Sequence, residues 1–116
     1  MQVNMHSQIG ASFKLIAHKG DRVATKETEW FNNIVLDSGL ARMSVGTWID
    51  RCCVGTGNTI SAISQTALAS FLASTTTIQS TSAELQTTTL PYYRSLKVTW
   101  RFSEGVAAGN ISEVGM

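Results

Sequence analysis

Charge is scarce in this chain. Only 15% of its 116 residues are Asp, Glu, Lys or Arg, and their balance leaves a formal net charge of +1. A basic stripe of the kind that binds nucleic acid or an anionic membrane surface is therefore absent. Histidine is limited to His6 and His18, and cysteine to the adjacent pair Cys52 and Cys53. Neighbouring cysteines rarely bridge each other, and two thiols with two distant imidazoles make a poor metal site. Both are expected to be buried or half-buried free thiols, in a compartment that is reducing during assembly. No apolar run reaches the ~18 residues needed to span a bilayer. The opening "MQVNMHSQIGASF" has neither the basic nor the apolar region of a signal peptide. Proline occurs once, at Pro91, as part of a turn into "PYYR" and not as a linker.

What is present is apolar and hydroxyl-rich. Hydrophobic residues make up 43% of the chain, enough for one folded domain over residues 1–116 with its own core. The clearest element is "SLKVTWRFS", Ser95 to Ser103. Leu96, Val98, Trp100 and Phe102 alternate with Lys97, Thr99, Arg101 and Ser103, so Val98 and Trp100 are expected in the core. "ASFKLIAHK" alternates more loosely, with Phe13, Leu15 and Ala17 opposite Lys14, Ile16 and His18. "TWIDRCCV", Thr47 to Val54, is a third candidate strand. The threonine-rich "TTTIQSTSAELQTTT" favours exposed strand over helix.

Two stretches carry helical signals. "LDSGLARMSVG" offers Asp37 or Ser38 as a cap, Leu40 and Met43 one turn apart, and Gly46 as a stop. "SQTALASFLAS" has Ser64 as a cap with Leu68, Phe71 and Leu72 on one stripe. Near the end, Gly109-Asn110 between Val106–Ala108 and Ile111–Val114 suits a hairpin turn. The expected fold is mainly β, an antiparallel β-sandwich with one or two short helices.

Chemical motifs are thin. "VGTGNT", Val54 to Thr59, resembles a phosphate loop only superficially. It lacks the Lys-Ser/Thr pair, and the position a dinucleotide fingerprint requires as glycine is Ile60. Gly55 and Gly57 are expected instead to permit positive φ where the chain leaves a strand. Acids such as Asp37, Asp50, Glu84, Glu104 and Glu113 are scattered, and no nucleophile–base pair is evident. No catalytic residue, cofactor site or metal site is expected. Asn110-Ile111-Ser112 matches a glycosylation sequon by coincidence. Trp30, Phe31, Tyr92 and Tyr93 sit beside polar loops, where such rings either pack beneath the loop or meet a sugar or protein partner.

Taken in order, "FNNIVLDSGLARM", "VGTGNT", "SQTALASFLAST", "KVTWRF" and "GVAAGNISEVGM" resemble segments of tailed-bacteriophage tail proteins, over about Phe31 to Gly115. The similarity is to the β-rich domain of tail fibre, tail tip and baseplate proteins. It implies a structural virion component, assembled in the host cytoplasm and resident in the tail. Its partners would be other tail or baseplate proteins and further copies of itself, in an assembly involved in host attachment. A carboxy-terminal strand with little charge is open to pairing with another chain, which makes Ile111, Val114 and Met116 candidate subunit-interface residues. Trp30, Tyr92 and Tyr93 are candidate loop contacts, and a carbohydrate-binding β-sandwich module is the alternative.

Overall fold

The structure is a computed structural model that describes residues 1–4, 8–19, 23–46 and 48–116. His6 and Thr47, named above for a metal site and a strand start, lie outside the described residues. The chain divides into two compact units: residues 1–48 with 59–67, and residues 49–58 with 68–116.

The first unit is built on paired short strands. β1 (Ala11–Phe13), β2 (Ile16–Lys19), β3 (Val23–Glu27) and β4 (Phe31–Asn33) nest as an inner pair, β2–β3, and an outer pair, β1–β4, both antiparallel. The expected run "ASFKLIAHK" is thus broken at Lys14–Leu15. There the Leu15 amide donates to Thr28 Oγ1 and the Thr28 amide donates back to the Leu15 carbonyl. Phe13 sits opposite Phe31, their rings stacked with centroids 6.2 Å apart. Lys14 Nζ lies 3.4 Å from Glu27 Oε1, an exposed pair of small energetic weight.

The expected first helix is present as α1 (Asp37–Val45), stopped at Gly46, whose φ of 144° suits glycine. Neither Asp37 nor Ser38 is its cap. Leu36 holds that position with no side-chain bond, and the Asp37 amide donates to the Ile63 carbonyl at 3.0 Å. A backbone carbonyl from the 59–67 segment thus satisfies an amide that a capping side chain would otherwise take.

Among the described residues, the buried ones lie in the second unit. β5 (Cys52–Gly55) is the centre of a three-stranded antiparallel sheet, flanked by β6 (Phe71–Thr75) and by β9 (Glu113–Gly115); between these in sequence come β7 (Ile78–Gln86) and β8 (Tyr93–Trp100), which form a two-stranded antiparallel sheet of their own. Val54, 2% exposed, lies opposite Ala73 on one side and Val114 on the other, so one apolar row crosses all three strands. Cys52, two residues from Val54 and therefore on the same face, is also buried. The third candidate strand is accordingly shorter than Thr47–Val54.

Three expectations are corrected here. The second helix does not form: residues 64–70 are turns and bends, and Phe71–Thr75 is strand β6. The reason is tertiary, because the Ala69 and Ser70 amides, which a helix would turn onto its own carbonyls, are taken by Glu113. The Gly109-Asn110 hairpin is also absent. Val106 closes a turn onto the Ser103 carbonyl, residues 106–108 are not strand, and β9 pairs with β5. Lastly, β8 runs Tyr93–Trp100, and Val98 and Trp100 are half-buried while Leu96 is 57% exposed. The alternation is real, but β7–β8 is a two-stranded ribbon, so its apolar face has no sheet stacked on it within this unit. The fold is therefore mainly β with one short helix and several small antiparallel sheets.

Candidate functional site

The densest polar constellation in the second unit gathers around Glu113, at the start of β9. Its Oε1 accepts the Ala69 amide at 3.1 Å and its Oε2 accepts the Ser70 amide at 3.0 Å. Two consecutive amides directed at one carboxylate form a small anion-binding concavity, and charge-assisted bonds of this kind are stronger than neutral ones. Around the carboxylate the backbone closes further. The Thr56 amide donates to the Ser70 carbonyl and the Ser112 amide to the Gly55 carbonyl, while Ser112 Oγ donates to the Gly57 carbonyl at 2.7 Å. Thr56 Oγ1 and Ser70 Oγ are 3.1 Å apart. Three segments far apart in sequence, 54–58, 68–75 and 111–115, are locked together at this point.

The glycines of "VGTGNT" are explained by the same constellation, though not as expected. Neither Gly55 nor Gly57 has positive φ; that conformation occurs at Gly46, Gly105 and Gly109 among the described residues. Their requirement is close approach. A Cβ on Gly55 would overlap the Ser70 carbonyl oxygen and the Glu113 carboxylate, and one on Gly57 would lie 2.7 Å from Glu113 Cδ. The loop does lie against an anion, and that anion is the chain's own glutamate. Nothing local in sequence pairs Glu113 with glycines about 56 to 58 positions before it, so the sequence alone does not single it out among the scattered acids.

The cysteines are both free, Cys52 buried and Cys53 half-buried, as expected. Burial, and then the neighbouring Cys53, push the Cys52 thiol up to about 11, so it is protonated at neutral pH. The Cys53 thiol is also raised, chiefly by burial, with Arg51 acting against the shift and Asp50 with it. Neither has the lowered pKa that activates a cysteine nucleophile. Among the described residues no group of three or more His, Cys, Asp or Glu side chains could hold a metal ion, and no helix is long and apolar enough to cross a membrane.

The candidate interface residues fall in different settings. Val114 is half-buried in the apolar row beside Val54, Ile111 is half-buried ahead of β9, and Met116 is 46% exposed. β9 is an outer strand of its sheet. Of the candidate loop contacts, Trp30 lies in the first unit and is exposed, whereas Tyr92 and Tyr93 lie in the second. Tyr92 is 63% exposed in the loop between β7 and β8, which Gln86 Nε2 braces by donating to the Thr89 and Pro91 carbonyls. Tyr93 starts β8, and the Glu84 carboxylate beside it on β7 raises its phenol by charge, with desolvation and a hydrogen bond adding to the shift. Comparison with protein families, curated proteins and solved structures finds no match to this chain.

Proposed function

We propose that this chain is a structural component of a bacteriophage tail, in the tail fibre, tail tip or baseplate, contributing to an oligomeric assembly involved in host attachment. The observation that carries the proposal is the convergence on Glu113. Three of the segments that resemble tail proteins, "VGTGNT", "SQTALASFLAST" and "GNISEVG", meet there in hydrogen bonds that rigidify backbone. Such a constellation supports a scaffold role: its polar atoms are engaged with each other and its glycines are filled. The partners in this reading are other tail or baseplate proteins and further copies of the chain, without nucleic acid or membrane insertion and without enzymatic activity. The location is the virion tail, reached from the host cytoplasm. The antiparallel β-sandwich belongs to the same proposal, as the state in which the small sheets stack on assembly. Ile111 and Met116, at the outer strand of the three-stranded sheet, are its proposed contact residues, with Val114 behind them.

Mass spectrometry of density-purified particles from cells producing this chain tests the reading. Multiple copies per particle are expected, and absence from intact particles overturns it. The alternative, a carbohydrate-binding module, draws on the exposed rings of Trp30 and Tyr92. Glycan-array binding by the isolated chain, lost on Tyr92→Ala, would favour that alternative.

A further inference from the structure

Each residue from Ser112 to Gly115 is met by a fitted feature of the groove between β5 and the turn before β6. The Ser112 amide donates to the Gly55 carbonyl and its hydroxyl to the Gly57 carbonyl. The Glu113 carboxylate accepts the Ala69 and Ser70 amides, over glycines that leave it room. Val114 pairs with Val54, the most buried residue of the sheet. Gly115 lies opposite Cys53, and a Cβ there would sit 3.3 Å from Leu68 Cδ2, so a larger residue must displace that leucine. Backbone pairing gives such a groove its grip and the side-chain positions give it selectivity, as where a sheet takes an added strand. The connection that delivers these residues is a tether. Residues 101–112 contain no helix or strand, are mostly exposed, and include Gly105 and Gly109 at positive φ. The Arg101 carbonyl is held by Thr75 Oγ1 at the far end of β6, whereas Glu113 is held at Ser70 before its near end. That separation is about 16 Å along the strand and ~10 Å across two strand spacings, roughly 20 Å in all. A segment of this length reaches about 40 Å when extended, so the tether has slack.

We propose that this groove is a strand-acceptor site that takes residues 112–115 of a second copy of the chain in exchange for its own. The occupant is fixed by the contacts themselves. Ser112 to Gly115 is the segment that the groove fits, and a second copy carries the same segment. Every bond and pairing named above is reproduced when these residues arrive from another chain, so exchange forfeits none of them. The choice between own and foreign strand then turns on concentration. A short flexible tether presents its strand at an effective concentration in the millimolar range. In dilute solution the chain keeps its own strand. Copies held side by side reach a comparable local concentration, and the slack in residues 101–112 lets the strand cross to the neighbour.

This inference rests on the assembly reading above and names the element that links copies, but its test needs no other tail protein. Two full-length variants, each with one half of the site disabled, are purified and mixed. Glu113→Lys spoils the strand and keeps the groove, whereas Gly55→Val spoils the groove and keeps the strand. Each alone should have monomer mass by light scattering. The equimolar mixture should form a heterodimer in which the β5 amides of the Glu113→Lys chain gain protection from hydrogen exchange. A labelled heptapeptide of residues 110–116 should bind the Glu113→Lys chain. It should bind the wild-type chain more weakly, in the millimolar range, because there it competes with the tethered strand. The Glu113→Gln form of the peptide should bind the Glu113→Lys chain at least ~tenfold more weakly than the native peptide. A mixture with the mass of its separate parts overturns the inference. So does a heterodimer that persists when the Gly55→Val chain also carries Glu113→Lys, since another surface would then hold it. If Glu113→Lys does not fold, the heptapeptide on the wild-type chain decides alone: protection gained at β5 supports the site, and none overturns it. Absence of the chain from purified particles would sink the tail reading and leave strand exchange standing. A chain present in particles whose variants do not exchange strands would sink this inference alone.

Discussion

Glu113 and Ser70, 43 positions apart, are joined by a 3.0 Å bond in which the Ser70 amide donates to the carboxylate. With the matching bond from Ala69, it fastens β9 to the turn that leads into β6. Glu113→Gln keeps the shape but points an amide group, itself a donor, at one of two backbone donors. The expected loss is about 1–3 kcal/mol, read from the urea midpoint at constant m-value. Removing Ile111–Met116 deletes β9 together with Glu113, so that truncated chain is expected to lose the three-stranded sheet and not merely a contact surface. An unchanged midpoint for Glu113→Gln would show that the bonds are replaced by water at no cost.

The glycines give a graded series. Gly55→Ala drives a methyl into the backbone oxygen of Ser70, which cannot swing aside, whereas Gly57→Ala meets the carboxylate of Glu113, which can. Both should destabilise, by about 1–3 kcal/mol, with Gly55→Ala the larger. Gly39→Ala in α1 is the opposite case. Its new methyl would meet Val35 Cγ1 at an ordinary 3.9 Å, so the helix should gain roughly 0.5–1 kcal/mol. Thermal melts of the three variants decide the order.

The Cys52 thiol predicts an alkaline weakness. Its native pKa of about 11 lies above the ordinary value of 9.0, so the folded chain holds this proton more tightly than the unfolded one. The associated stability is complete below pH 9 and is lost as pH rises through about 11. Denaturant midpoints taken across that window should fall, and Cys52→Ala should flatten the fall. At pH 8 a thiol reagent should modify Cys53, the more accessible of the two, before Cys52.

Tyr93 and Glu84 offer a spectroscopic test of the ribbon's register. Because the Glu84 charge is the main cause of the raised Tyr93 phenol, Glu84→Gln should bring tyrosinate formation to lower pH. An ultraviolet titration in which Tyr92 is replaced by Phe isolates the signal. No shift would mean that Glu84 and Tyr93 are not neighbours across the polar face.

Trp100→Ala should cost less than a core tryptophan does. Full burial would set the loss at about 3–5 kcal/mol, but Trp100 is half-buried, so roughly half that is expected for the monomer.

Local signals alone specified a good deal of this protein. The β-branched, hydroxyl-rich run forms β7, the alternating run forms most of β8, Gly46 ends α1, and the cysteines are free and at least half-buried. Each follows from a preference that acts over a few residues: period-two alternation, the freedom of glycine at positive φ, or the apolar character of a thiol. Tertiary structure decided the rest. "SQTALASFLAS" carries a helical stripe, yet a glutamate more than forty positions later takes its amides and Phe71–Thr75 joins a sheet. Gly55 and Gly57 suggested a turn, and their real constraint is the nearness of a side chain from the far end of the chain. The alternation of β8 correctly separated its two faces but not their burial. Alternation records which side of a strand is apolar, whereas burial depends on what the tertiary structure lays against it.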